Sequence, residues 1–212
     1  MSPGLTLHGY RFSVYAWIVR LVLQTKGLEA AWVEVDPFED LPHGYLGLHP
    51  FGRVPVLTHG ETSIYETRAI TAYLDEAFPA PPLTPRDLAQ RTRMRQILGM
   101  IDAYAYWPLV RQVFSHGAWR SRMGGEVDGE ALAAGFARAP RVLAALEDLA
   151  EGGPTLIGEG RSLADCHLAP MLSYFTETPG APEMLADVPK LSRWWQGMAT
   201  EPAFQATRPD LG

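Results

Sequence analysis

The chain has 212 residues, of which 47% are hydrophobic and 20% charged, a composition typical of a soluble globular protein. Its 18 basic and 24 acidic residues leave a net charge of -6, which argues against nucleic acid as the main partner because phosphate binding needs a basic face. The single cysteine, Cys166, excludes an intramolecular disulfide and a thiolate zinc cluster. No apolar stretch approaches the roughly 20 residues that span a bilayer and no signal peptide is visible, so we expect a cytoplasmic protein without membrane contact.

The first domain is predicted to span residues 1–78 and to combine strands with helices. A short strand at 5–8 is followed by Ser13, a residue type that favours the N-cap of a helix. Behind Ser13 apolar residues recur at helical spacing, which predicts a one-sided helix. Gly27 is the candidate that ends this helix.

The second half of this domain reads as two further strands in a hairpin and a helix. A strand is predicted at 31–35, and residues 36–49 carry little periodicity and are expected to be mostly loop. Strands at 56–58 and 62–64 flank three residues with a central glycine, which is typical of a β-hairpin. A helix begins near Glu66. The order β-α-β-loop-β-β-α predicts an α/β sheet with parallel and antiparallel parts, covered by helices.

The second domain is predicted to be all helical. Residues 79–85 contain four prolines and form a linker, because proline is excluded from helix interiors and central strands. The helical domain then covers 86–212, beginning with a long helical region at 86–119 in which Pro108 is expected to cause a kink or break. Further helices are predicted at 130–150, 163–175 and 189–200.

Four sequence features occur in a fixed order. They are Ser13 at a strand-to-helix turn, the run FGRVPVL at 51–57, the run IYETRAI at 64–70, and SLAD at 162–165. Together they resemble the cytosolic glutathione transferase family, of the type that uses a serine, over about residues 5–200. The resemblance implies a thioredoxin-like N-terminal domain, an all-helical C-terminal domain, a homodimer, glutathione as co-substrate, and no metal.

Ser13 is the candidate catalytic residue. The first turn of a helix favours negative charge, and a hydroxyl there can donate a hydrogen bond to a thiolate. In serine-type members of the resembled family this serine stabilises the thiolate of bound glutathione, so Ser13 is expected to act as a donor and not as a nucleophile. The alternative is a plain N-cap that contributes about 1 kcal/mol. Tyr10 and Tyr15 offer rival hydroxyls near the same turn, and Val14 stands where many bacterial relatives have proline.

The resemblance also assigns a glutathione-binding role to the segment around Val54 and Pro55. A cis proline turns the preceding backbone outward, and in the family the residue before this proline pairs its backbone with the cysteinyl part of glutathione. A turn proline with a folding role only is the alternative. Arg53 is expected near the glycyl carboxylate, and His43 and His49 lie in the preceding loop and can assist, or are simply solvated.

Glu66 and Thr67 are the candidate partners of the γ-glutamyl group. Thr67 at a helix start can offer its N–H and hydroxyl to a carboxylate, and Glu66 can pair with the ammonium group. The alternative is a capping pair at a solvated helix end. Inside the helical domain, Cys166 is expected to be a buried small hydrophobe and Asp165 to close the cap of a core helix.

Aromatic residues of the first helical region are candidates for the pocket of the second substrate. Residues 104–119 include two tyrosines, two tryptophans and a phenylalanine. Aromatic stripes at helical spacing usually belong to the core, but five in sixteen residues favour an apolar cleft for some of them. The candidate electrophile pocket is therefore Tyr10, Tyr104, Trp107 and Phe114.

The main functional hypothesis is a glutathione transferase that conjugates the glutathione thiolate to a small apolar electrophile. A glutathione-dependent isomerase or dehalogenase is a second possibility, since it would use the same N-terminal site. A non-catalytic binding or scaffold protein with this fold is the third. The retained Val54-Pro55 and Glu66-Thr67 weigh against the scaffold, because a scaffold needs no γ-glutamyl site.

Overall fold

The computed structural model describes residues 4–158 and 160–212, so the first three residues of the predicted first domain lie outside it. The chain forms two compact units, one of residues up to 82 together with 206–211, the other of 83–205 with Gly212. The division falls inside the proline-rich segment 79–85. The tail at 206–211, which the sequence analysis placed with the helical domain, belongs to the first unit.

The tail joins the first unit because the first helix holds it by hydrogen bonds. The indole Nε1–H of Trp17 donates to the hydroxyl of Thr207 at 3.1 Å. A guanidinium N–H of Arg20 donates to the carbonyl of Thr207 at 2.7 Å. No periodic pattern in the sequence marks this contact.

The first unit has the element order expected from the sequence. Its sheet runs β2-β1-β3-β4, with β2 parallel to β1 and both β3 and β4 antiparallel to their neighbours. The elements are β1 (Leu5–Gly9), α1 (Val14–Thr25), β2 (Ala30–Glu34), a 3₁₀ turn (Tyr45–Gly47), β3 (Val56–His59), β4 (Thr62–Tyr65) and α2 (Thr67–Ala77). The thioredoxin-like arrangement is therefore confirmed.

Helices α1 and α2 are joined by a buried ion pair as well as by apolar packing. Ile70 and Leu74 of α2 are fully buried. Lys26, the C-cap of α1, donates from Nζ to Asp75 of α2 at 2.8 Å and to the carbonyl of Pro81 at 2.7 Å. A buried ammonium must keep such partners because desolvation without them is costly. Gly27 follows the C-cap with φ of 64°, a conformation that favours glycine.

The strand register places the turn before α1, the segment before β3 and the start of α2 at one end of the sheet. His8 of β1 is paired with Val56 of β3, and Val56 with Tyr65 of β4. We call this end the His8 end. The opposite end carries Leu5 paired with His59, and His59 with Thr62.

The second unit consists of helices and their connections. Its elements are α3 (Leu88–Met100), a wide-turn π-helical segment (Ile101–Trp119), α4 (Arg120–Arg122), α5 (Gly129–Leu149), α6 (Leu163–Thr176), α7 (Ala181–Ala186), α8 (Pro189–Ala199) and α9 (Pro202–Thr207), the last residues of α9 belonging to the first unit. The all-helical prediction is confirmed. Helices α7 and α9 were not anticipated, because six residues are too few to show a period.

The helix does not break at Pro108: the helical path continues through this proline within the wide-turn segment. Helix α5 packs closely on this segment at Gly135. A Cβ added at Gly135 would lie 2.8 Å from Cβ of Gln112 and from Cγ2 of Val113, and 3.1 Å from the carbonyl oxygen of Pro108. This close contact supports the segment from Pro108 to Val113.

The core of the second unit is organised by the Asp165 carboxylate at the start of α6. It accepts hydrogen bonds from the N–H and hydroxyl of Ser162, from the N–H of Leu156, and from the indole of Trp194, at 2.7 to 2.8 Å. Both hydrogen bonds of the capping box are present, as the sequence predicts. Cys166 is fully buried beside it. Across the described ranges, every helix is too short or too polar to cross a membrane.

Candidate active site

Three of the segments singled out in the first domain adjoin the His8 end of the sheet. Continuing the register two residues beyond the His8–Val56 pair reaches Tyr10 and Val54. Continuing it two residues beyond the Val56–Tyr65 pair reaches Val54 and Thr67. The turn before α1, the segment before β3 and the start of α2 therefore leave the sheet side by side.

Ser13 is the N-cap of α1 in the structure. Its hydroxyl oxygen accepts a hydrogen bond from the backbone N–H of Ala16 at 3.2 Å. Its own N–H donates to the carbonyl of Tyr10 at 2.9 Å, which closes the turn. Because a hydroxyl can accept and donate together, capping leaves the Ser13 hydrogen to be donated elsewhere. The capping role and the thiolate role are compatible.

Tyr10 lies in a more acidic environment than Ser13. Its pKa is raised by burial and by the nearby carboxylates of Asp36, Glu34 and Glu39, with Arg11 opposing them. The phenol therefore stays protonated at neutral pH, but the same carboxylates oppose an additional anion beside it. The first turn of α1 contains no acidic residue. Tyr15, the other alternative donor, is half-buried on the first turn of α1.

The segment before β3 is held by a hydrogen bond from Tyr45. The Val54–Pro55 peptide bond is cis, as the sequence analysis anticipated. The buried Tyr45 hydroxyl donates to the carbonyl of Arg53 at 2.8 Å, and burial raises the pKa of Tyr45 to about 12. Within residues 4–158 and 160–212, the backbone N–H and C=O of Val54 take part in no hydrogen bond. Val54 thus presents an open donor and acceptor, as an extended ligand requires.

His49, and not His43, is the histidine built into this region. His49 is buried and its ring centroid lies 4.8 Å from that of Tyr65. The backbone N–H of Phe51 donates to its Nδ1 at 3.3 Å, so the neutral ring carries its hydrogen on Nε2. Burial lowers the pKa of His49. The negative charge of Glu66 acts to raise this pKa, and the positive charge of Arg53 acts to lower it. His43 is exposed in the loop before the 3₁₀ turn.

Helix α2 begins abruptly at Glu66 and Thr67. Glu66 has φ of 68°, the one positive φ of a non-glycine residue in the described chain. Such a conformation costs roughly 1–3 kcal/mol and persists only where the surroundings hold it. The exposed Glu66 side chain does not cap the helix, and Thr67, the first helical residue, is buried. Helix α2 therefore begins without a cap from the side chain of Glu66, and the exposed Glu66 carboxylate lies next to its first residue.

Comparison with known proteins identifies the family. Residues 7–82 match the family described as "Glutathione S-transferase, N-terminal domain", and residues 90–202 match "Glutathione S-transferase, C-terminal domain". The chain belongs to the glutathione S-transferase family. One relative, Glutathione S-transferase 1 from Dianthus caryophyllus, is 34% identical over 81% of this chain and 77% of its own length.

Two solved structures extend the comparison of this transferase over both units. The structure of glutathione S-transferase III in apo form is 29% identical with a TM-score of 0.82, covering 96% of this chain and 95% of its own. That of maleylacetoacetate isomerase from Anaeromyxobacter dehalogenans 2CP-1 is 31% identical with a TM-score of 0.71, covering 100% of this chain and 93% of its own.

The aromatic residues of the transferase's helical unit fall into two groups. Tyr104 and Trp107 are exposed, 64% and 55% respectively, and lie three residues apart on the wide-turn segment. Phe114 is buried in the core, where its ring stacks on Tyr174 with centroids 4.2 Å apart. Phe114 therefore contributes to the packing of this unit, whereas Tyr104 and Trp107 leave apolar side chains exposed.

Two residues near the site were missed or given little weight in the sequence analysis. Tyr45 stands in a loop without periodicity, and nothing in its sequence context distinguishes a buried hydroxyl from a surface one. His49 shares its loop with His43, and only its place immediately before the Pro50–Pro55 run hinted at a closer role. Both depend on tertiary contacts that the sequence pattern does not encode.

Proposed function

We propose that this transferase binds glutathione at the His8 end of its sheet and holds the sulfur as a thiolate beside Ser13. The thiolate then attacks a small apolar electrophile. The observation that carries the proposal is the convergence of the turn at Ser13, the unpaired backbone of Val54 and the start of α2 at one sheet end. Glutathione has a thiol, two carboxylates and an ammonium group, and each needs a partner of this kind.

In this proposal Ser13 lowers the pKa of the bound thiol. The hydroxyl donates to the sulfur while it accepts from Ala16, and the N-terminus of α1 favours the negative charge. The carboxylates around Tyr10 support Ser13 over Tyr10 as the donor. Tyr15 remains the second alternative, and Tyr15→Phe tests it directly.

The remaining groups of the tripeptide would be bound by the other two turns. Val54 would pair its backbone N–H and C=O with the cysteinyl residue in the manner of an added strand. Glu66 would bind the γ-glutamyl ammonium, and Thr67 at the start of α2 the adjoining carboxylate. Arg53, exposed beside Val54, would bind the glycyl carboxylate, with His43 able to assist from its exposed loop.

The chemical step is a nucleophilic substitution or addition by sulfur. With an aryl halide, the thiolate forms a carbon–sulfur bond, the carbon–halogen bond breaks, and halide leaves with the electron pair. The thiol proton is lost to solvent before the attack, so the attack itself needs no general base. We propose that Tyr104 and Trp107, exposed on the helical unit, contribute apolar surface to the electrophile, and that Phe114 contributes only to the core of that unit, where it stacks on Tyr174.

Calorimetry and product analysis test this proposal together. Glutathione should bind with measurable heat at millimolar concentration, and incubation with chlorodinitrobenzene should give a stable thioether and free chloride. Ser13→Ala should lower turnover by roughly 10²–10³, as loss of one electrostatic donor does elsewhere. Recovery of free glutathione with a rearranged substrate would favour the isomerase, and absence of glutathione binding would favour the scaffold.

The assembly and location of the protein complete the proposal. We propose a homodimer in the cytoplasm, with glutathione and a small electrophile as its partners. The large exposed side chains Phe51 and Tyr65 in the first unit are consistent with a surface that another chain covers. Light scattering should give twice the 23.4 kDa mass of one chain. A monomeric mass would contradict the dimer and leave the glutathione site untouched.

A further inference from the structure

The turn before Ser13 is held by a carboxylate from the neighbouring strand. Glu34 is the last residue of β2, and its Oε1 accepts a hydrogen bond from the backbone N–H of Arg11 at 3.0 Å. The side-chain Nε of Arg11 approaches the same oxygen at 3.4 Å. The backbone N–H of Val35 donates to the carbonyl of Gly9 at 2.9 Å, so the strand and the turn are joined on both sides of Tyr10.

The Glu34 carboxylate is itself held in place. The indole Nε1–H of Trp32 donates to Oε2 at 2.9 Å, while the guanidinium of Arg20 lies 5.6 Å from the Trp32 ring centroid. The indole passes directly over Gly9, where a Cβ would lie 2.7 Å from its Cη2 atom. Trp32 therefore fixes Oε2 of Glu34, and Oε1 accepts the hydrogen bond from the turn at Arg11.

The charge state of Glu34 agrees with this geometry. Burial acts to raise its pKa, but the hydrogen bonds from the Arg11 backbone and the Trp32 indole, together with the Arg11 charge, outweigh burial and lower the pKa. Glu34 is therefore ionised at neutral pH and accepts strong hydrogen bonds. The cost is a negative charge close to a site that must hold a thiolate.

We propose that Glu34 is a positioning residue for Ser13, acting through the backbone N–H of Arg11. The proposal rests on the proposed role of Ser13 at the thiolate. The hydrogen bond at Arg11 and the one from Ser13 to Tyr10 fix the turn at both ends, and so set the direction of the Ser13 hydroxyl at the start of α1. A donor that is displaced by a fraction of an ångström loses much of its electrostatic effect on the sulfur.

The positioning role and the charge of Glu34 have opposite effects on the bound thiol, which makes them separable. Removing a nearby negative charge alone lowers the pKa of the thiol. Releasing the turn raises it, because the Ser13 hydroxyl is no longer held toward the sulfur. Glu34→Gln removes the charge and keeps an oxygen acceptor for Arg11, whereas Glu34→Ala removes both.

The test is titration of the thiol of glutathione bound to the intact protein, followed by the ultraviolet absorbance of the thiolate. Wild type is compared with Ser13→Ala, Glu34→Ala, Glu34→Gln and the double variant of Ser13 and Glu34. Glu39→Ala is the matched control, since Glu39 adds negative charge near Tyr10 and, in the part of the chain described, accepts no hydrogen bond from the turn. Circular dichroism and glutathione affinity at acidic pH verify that each variant folds and binds.

Glu34→Ala should raise the pKa of the bound thiol by between about 0.5 and 1, while Glu34→Gln, which keeps the acceptor and removes the charge, should leave it at or slightly below the wild-type value. Glu39→Ala should not raise it, and in the Ser13→Ala background Glu34→Ala should raise it no further, because only the effect of the lost charge, which lowers the thiol pKa, remains. If Glu34→Ala lowers the thiol pKa or leaves it unchanged while Ser13→Ala raises it, Glu34 is not a positioning residue and the role of Ser13 stands. If Ser13→Ala also has no effect, both assignments are overturned.

Discussion

The Tyr45 hydroxyl donates a hydrogen bond of 2.8 Å to the carbonyl of Arg53. This contact orients the peptide unit that joins Arg53 to Val54, and the unpaired N–H of Val54 belongs to that unit. The 3₁₀ turn at 45–47 therefore determines how Val54, the proposed partner of the cysteinyl residue, is presented. In the described ranges this turn makes no hydrogen bond to the sheet or to the ends of α1 and α2.

Tyr45→Phe should weaken glutathione binding about fivefold, the usual net contribution of one hydrogen bond of about 1 kcal/mol. Calorimetry gives the dissociation constant directly. Tyr73→Phe is the matched control, because it removes a hydroxyl that is hydrogen bonded to His59 at 2.7 Å at the opposite end of the sheet. Equal losses in the two variants would show that the effect is general destabilisation and not orientation of Val54.

Glu66→Gln should weaken glutathione binding roughly tenfold or more, because a hydrogen bond between charged groups is worth about 1.5–3 kcal/mol. The loss should vanish for a glutathione analogue without the γ-glutamyl amino group. Glu61→Gln, at the exposed hairpin turn of the opposite sheet end, is the control for loss of a carboxylate. If Glu66→Gln weakens both ligands equally, Glu66 does not bind the ammonium group.

The stability of the first unit should decrease on mild acidification because of His49. Burial and Arg53 lower its folded-state pKa against the opposing effect of Glu66, so the unfolded chain takes up the proton first. The free energy of unfolding should therefore fall as the pH drops from about 6.5 toward the lowered folded-state pKa. Urea unfolding across this range should show a weaker pH dependence in His49→Asn.

His43→Asn, the same substitution at an exposed position of the same loop, is the control for that measurement. His8, whose pKa is also lowered by burial, continues to contribute in both variants. An unchanged pH dependence in His49→Asn would mean that the His49 ring is protonated without cost in the folded state.

Asp165→Ala should destabilise the helical unit by about 3–5 kcal/mol, because four donors lose one buried carboxylate. Asp128→Ala is the matched control: the half-buried Asp128 caps α5 by accepting from Ala131 at 3.0 Å, and an N-cap is worth about 1 kcal/mol. Urea unfolding should separate the two variants clearly. Similar losses would mean that Asp165 contributes only a helix cap.

The sequence predicted the parts of this protein that depend on local pattern. The apolar stripe behind Ser13, the glycine-centred hairpin and the Ser162–Asp165 capping box each carry their own signal within a few residues, and each is present. A break at Pro108 was one of the two expected outcomes, and the helix does not break there. Here α5 lies against that backbone at Gly135.

Local sequence pattern predicted only part of the candidate site. Ser13, Val54 and Glu66 stand at element ends, where residue type and position carry information about chemistry. Tyr45 and Glu34 act from a loop and from an exposed strand, through contacts over 8 and 23 residues. Such partners follow from tertiary contacts and not from local periodicity.

The crystal structure of the protein with glutathione tests the central claim most directly. The account predicts the tripeptide at the His8 end of the sheet, with its sulfur within about 3.5 Å of the Ser13 hydroxyl and its cysteinyl backbone paired with Val54. A tripeptide bound elsewhere, or bound there with its sulfur turned away from the start of α1, would contradict the account.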